Sequence, residues 1–158
     1  MQLVILNTKI VSFLWRGNMS NKSKGSKFEE DFAKYMSNKG YWVHLFAGAS
    51  HTGSQPCDVI AVRRDCAEFY DCKTLENKNG LFPISRIEEN QILAYKKIRE
   101  TRNPETIFAL IIIWNNDLYC VEFDNINFDS KSINLKQHTP FLKCFYNEKG
   151  GLNENYCR

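Results

Sequence analysis

The spacing of apolar side chains divides the chain into seven elements. Phe28, Phe32, Tyr35 and Met36 recur at helical intervals behind Ser26-x-x-Glu29, an N-terminal capping pattern, and Gly40 supplies a stop. These signals predict a helix over 27–38. Tyr41–Phe46 is aromatic and β-branched, a short strand. The polar loop GASHTGSQP (48–56) leads to two strands, Asp58–Arg64 and Glu68–Thr74, joined by a tight turn at Asp65-Cys66. A second loop, LENKNGLFP, ends at Ser85-x-x-Glu88, another capping pattern. The helix behind it reaches Thr101, and Asn103-Pro104 stops it. TIFALIIIW (106–114) is unbroken and β-branched, as in a central strand covered on both faces. Asn115-Asn116-Asp117 turns the chain into a returning strand, Leu118–Phe123. The order α-β-β-β-α-β-β predicts an α/β fold, a mixed sheet flanked by helices.

Flanking segments are less patterned. The first eighteen residues are apolar but interrupted by Lys9 and Arg16, too short a run for a spanning helix and without the features of a signal peptide. Residues 1–23 are expected to be a flexible or non-native extension, and 127–158 a C-terminal extension packing on a domain spanning 24–126. With 158 residues, 43% apolar and 25% charged, the composition is that of one ordinary globular domain. A net charge of +3 permits nucleic-acid binding without arguing for it. Six scattered cysteines contain no CxxC pair, which fits reduced thiols in the cytoplasm better than a zinc site or a disulfide framework.

The hairpin holds the candidate chemistry. With Asp65 and Cys66 as the loop, Arg64 pairs with Ala67 and Asp58 falls opposite Lys73, with β-carbons about 5 Å apart. Asp71, two residues before Lys73, shares that face. Two converging carboxylates repel unless a cation bridges them. Mg²⁺ (or Mn²⁺) accepts one or two carboxylates and completes its shell with water and phosphate oxygens. Lys73 would then stand beside a scissile phosphate. An unremarkable cross-strand ion pair accounts for the same residues without chemistry. Gln91 is a lone polar residue on the apolar stripe of Ile87, Ala94, Tyr95 and Ile98, so it must be hydrogen-bonded or functional.

Together, KGSKFEEDF, QPCDVIAV and FYDCKT follow the helix-Glu, P-x-D, (D/E)-x-K order of restriction endonuclease-like nucleases, the PD-(D/E)xK superfamily. FPISRIEENQILAYKKI and LIIIWNNDLYCVEFDNI resemble the corresponding segments of RecU-type Holliday junction resolvases, and KGSKFEE is similar to the archaeal type; the likeness covers about residues 24–126. The resemblance implies metal-dependent cleavage of four-way DNA junctions by a homodimer. Asp58 and Asp71 would be metal ligands, Lys73 catalytic, Glu29 an accessory ligand or orienting group, and Gln91 a site or DNA-contacting residue. The chain departs from the family in two respects. Asp71 stands where these resolvases mostly carry Glu, and GASHTGSQP is too short for the stalk RecU proteins insert into a junction. Glu29 also suits plain helix capping. Lys22, Lys24, Lys27, Ser50, His51 and Arg86 are candidate DNA contacts, although a solvated rim explains such residues equally well. A restriction or repair nuclease acting on duplex or flapped DNA, or an inactive DNA-binding module of the same fold, are the alternatives.

Overall fold

In the computed structural model, residues 21–46, 55–64, 66–101 and 106–156 are described. Helix α1 (Asn21–Asn38) precedes strands β1 (Trp42–Leu45), β2 (Val59–Arg63), β3 (Cys66–Leu75) and β4 (Leu81–Pro83). Helix α2 (Glu89–Glu100), β5 (Ile107–Trp114), β6 (Asp117–Glu122) and β7 (Ser132–Asn134) follow. The main sheet runs β1-β2-β3-β5-β6, parallel only between β3 and β5. A parallel pair needs a long crossover, and the segment containing α2 provides it. The expected mixed α/β architecture is therefore present. An unexpected second sheet pairs β4 with β7.

β5 is the centre of the fold because it is covered on both sides. Phe108, Leu110, Ile112 and Trp114 belong to one core, against which Ile92, Ala94, Tyr95 and Ile98 of α2 pack. Ala109, Ile111 and Ile113 belong to the other, shared with Phe28, Phe32, Tyr35 and Met36 of α1. Burying each large side chain contributes about 1.5–3 kcal/mol, so this alternation sets which helix covers which face. The hairpin into β6 turns through Asn115 (φ 51°) and Asn116 (φ 65°), a left-handed pair that asparagine tolerates better than most residues. Beyond β6, Ile133 and Leu135 complete the α2-side core, and Phe145 completes the α1-side core.

Three local expectations are corrected. Helix α1 begins at Asn21, so Ser26 lies inside it and cannot be its N-cap. Gly25 costs the helix only about 1 kcal/mol, too little to stop it. The capping explanation of Glu29 falls with that start. Helix α2 is capped by Glu88, whose side chain accepts the Gln91 backbone N–H while the Gln91 side chain accepts the Glu88 N–H. Ser85 sits instead in a single 3-10 turn, Ile84–Arg86, behind Pro83. In the β2–β3 hairpin, Asp65 lies outside the described residues, but Arg63 pairs with Cys66, Val62 with Ala67 and Val59 with Tyr70, so Arg64 does not pair with Ala67; its φ is 56°. Partners shift by two residues relative to the expected register. A shift of two preserves the alternation of side chains, so the face assignment survives.

Candidate active site

β2 and β3 position the carboxylates. Asp58 lies one residue before β2, where its N–H donates to the Tyr70 carbonyl at 2.9 Å, and continuing the ladder puts it across from Asp71 rather than Lys73. Ile60 and Phe69 pack on the α2 side, so strand alternation turns Asp58, Asp71 and Lys73 to that side as well. The Cys72 backbone N–H donates to Asp58 Oδ2 at 2.7 Å, fixing the first carboxylate.

Asp71 is completely buried. Its Oδ1 accepts from Lys73 Nζ at 2.8 Å and from Gln91 Nε2 at 2.5 Å. Its Oδ2 is buried without a hydrogen bond. Burial lifts this carboxyl above the ordinary carboxylate range; Lys73 opposes the rise and Asp58 adds to it. Burial alone would lower Lys73, but the adjacent Asp71, with Asp58 behind it, raises it, so the ammonium stays charged at neutral pH. Gln91 therefore meets the expectation of a hydrogen-bonded polar residue on an apolar stripe. It is buried, and one amide group serves the helix cap through Oε1 and Asp71 through Nε2.

Glu29 reaches this region from α1. Burial and the charge of Asp58 raise its carboxyl, and Lys73 lowers it. Among the described residues, however, no three His, Cys, Asp or Glu side chains gather into a group able to hold a metal ion. The three-carboxylate set of Glu29, Asp58 and Asp71 is thus not assembled, and the pair Asp58 and Asp71 remains. That pair suits a hard cation: two carboxylates meet across one hairpin, and one carries a buried oxygen with no partner.

The remaining candidates separate. Arg86 Nη1 donates to the Thr74 carbonyl at 2.7 Å, one residue from Lys73, and its guanidinium lies over Phe82. Lys27 is engaged elsewhere: its Nζ contacts Asp31 at 2.9 Å and the Gly150 carbonyl at 3.2 Å, and it lies over the Tyr146 ring. This ties α1 to the C-terminal segment instead of facing the carboxylates. The side chains of Lys22 and Lys24, together with Ser50, His51 and residues 1–18, lie outside the described residues. Asn90 was not anticipated. Its Nδ2 donates to the Gln55 carbonyl at 2.9 Å, anchoring the approach to Asp58 on α2. Its place beside Gln91 at the first turn of the helix was the available signal.

Fold and side chains together define a mixed α/β protein with two acidic groups and a lysine on one sheet face. No protein-family model matches the sequence, and no curated protein matches it. Among solved structures, the chain is similar to Hjc, a Holliday junction resolvase from Archaeoglobus fulgidus, at 16% identity over 70% of this chain and 81% of that one, with a TM-score of 0.47. Among the described residues, no helix is long and apolar enough to cross a membrane.

Proposed function

We propose that this chain is a metal-dependent DNA endonuclease with the restriction endonuclease-like fold, acting on four-way junctions as a homodimer. The observation that carries the reading is the Asp71 carboxylate, fully buried and opposite Asp58, with Oδ2 unbonded and Oδ1 fixed by Lys73 and Gln91. A buried oxygen without a hydrogen bond calls for an explanation, and a cation shared with Asp58 is one. Asp58 and Asp71 would hold Mg²⁺ or Mn²⁺. When bound, the cation supplies charge against the scissile phosphate and lowers the pKa of an attacking water. Lys73 keeps its proton and offers positive charge to the phosphate as negative charge develops on it. Gln91 prevents Asp71 from rotating, and Glu29 orients water from the α1 side. Arg86 extends the positive rim toward the DNA backbone. The four-way junction is what the resemblance to Holliday junction resolvases implies, and two equivalent strands to cut suit a two-fold dimer.

The test is incubation of wild type and Asp58→Asn with Mg²⁺ and either a four-way junction or a matched linear duplex. Junction cutting by wild type alone is expected. Equal cutting of both substrates would remove the junction reading, and cutting of neither would remove the nuclease reading. A second readout needs no activity. Mn²⁺ at a hundredfold its dissociation constant should stabilise wild type by about 2.7 kcal/mol against urea, and Asp58→Asn far less.

A further inference from the structure

The opposite face of the sheet carries a second polar focus that plays no part in the site above. Glu68 and Tyr70 alternate with Phe69 and Asp71 along β3, so they point toward α1. There they line a cavity of about 560 Å³, within the range of small-molecule sites. Phe32 and Tyr35 line it as buried packing, and its open aromatic walls are the half-buried Tyr41 and the exposed Phe141. Phe141 is 52% exposed, so this wall has no cover of its own.

Glu68 is a buried carboxylate in this aromatic cavity. Tyr41 donates to Oε1 at 3.2 Å, Tyr70 donates to Oε2, and the Cys66 thiol makes a long contact of 3.9 Å to Oε1. Burial, followed by the neighbouring Glu68, pushes the Tyr70 hydroxyl well above its usual value, so it remains a donor. A carboxylate offers about four lone-pair sites. With the weak thiol set aside, each oxygen keeps one acceptor position. Lys39 and Arg63 also line the cavity, resting over the rings of Tyr35 and Tyr41, against Glu122 alone among the other charged lining groups.

We propose that this cavity binds a guanine nucleotide, the base against Tyr41 and Phe141 with its N1–H and 2-amino group donating to Glu68, and the phosphate held by Lys39 and Arg63. The chemistry is selective. An acceptor-only carboxylate favours an edge with two adjacent donors, which guanine has and adenine lacks. Aromatic rings provide a stacking surface for any base, so Glu68 supplies the discrimination and the rings the affinity. The proposal is independent of cutting at Asp58 and Asp71.

The experiment is calorimetric titration of the full chain in EDTA with 5′-GMP, 5′-IMP, 5′-AMP and guanosine. Saturable binding of GMP is expected. Binding should weaken about tenfold for IMP, which lacks the 2-amino group, and at least as much for AMP; guanosine, without phosphate, should bind severalfold more weakly. Glu68→Gln should lose the preference for GMP over AMP, and Asp58→Asn should keep it. The nucleotide series on wild type decides the matter even if Glu68→Gln folds poorly. No saturable binding, equal affinity for GMP, IMP and AMP, or loss of binding in Asp58→Asn would each overturn the proposal.

Discussion

Gln91→Ala is the most direct probe of how the carboxylate is held. The substitution deletes a donor to Asp71 and an acceptor for the Glu88 N–H in one step. A hydrogen bond to a charged partner contributes about 1.5–3 kcal/mol, and a helix-cap interaction about 1 kcal/mol. Alanine's better helix propensity returns a few tenths. With Gln91 only 4% exposed, water cannot readily replace either bond, and the expected loss is about 3 kcal/mol. Urea unfolding followed by circular dichroism in EDTA measures it. Gln91→Glu makes the comparison sharper. Glutamate still accepts the Glu88 N–H but sets a second carboxylate against Asp71, and two such groups resist joint ionisation. Its penalty should be small at pH 5, where the pair shares a proton, and larger at pH 8. Gln91→Ala within about 0.5 kcal/mol of wild type, or Gln91→Glu as stable as wild type at pH 8, would refute the reasoning.

Two further expectations concern the frame around the site. Gly80 has φ +72°, and a β-carbon there would lie 2.7 Å from the Trp114 ring, which Nε1 anchors to the Asn77 carbonyl. Gly80→Ala should therefore cost about 2–3 kcal/mol, and an unchanged urea midpoint would show that the indole can move aside. Burial would raise the Asp124 carboxyl, but hydrogen bonds from Tyr95 and Arg99 outweigh it and hold the group low. Its contribution is thus present above the unfolded value and lost as pH falls through the lower folded value. Asp124→Asn should cost about 0.5–1 kcal/mol at pH 7, as befits an exposed pair, and nothing at pH 2; an equal cost at both would contradict this.

The sequence made the central features legible wherever hydrophobicity alone decided them. TIFALIIIW had to be covered on both sides, and in the structure every residue from Phe108 to Trp114 is buried. The common face of Asp58, Asp71 and Lys73 was readable because strand alternation has a period of two, so misplacing the turn by one residue on each strand changed their partners but not their side. The turn itself was ambiguous: nothing in Arg64-Asp65-Cys66 resembles the Asn-Gly or Gly-Gly pairs that fix a hairpin. Both helix starts were misjudged because a Ser-x-x-Glu pattern describes local bonding, whereas the tertiary setting chooses which residue uses it. β4 and its pairing with β7 were not legible because each strand has three residues and β4 ends in proline. Gln91 could be read as bonded or functional, but its partner could not, since Asp71 lies twenty residues away in the chain.

The packing of Ile133, Leu135 and Phe145 into the two cores has a consequence for biosynthesis. Neither core is complete while the ribosome still covers these residues, so β5 lacks part of its cover on the nascent chain. Such a segment is rich in β-branched side chains and prone to pair with other chains. Chaperone demand during translation should accordingly be high, and shortening the chain before Phe145 should lower soluble yield far more than the number of residues removed would suggest.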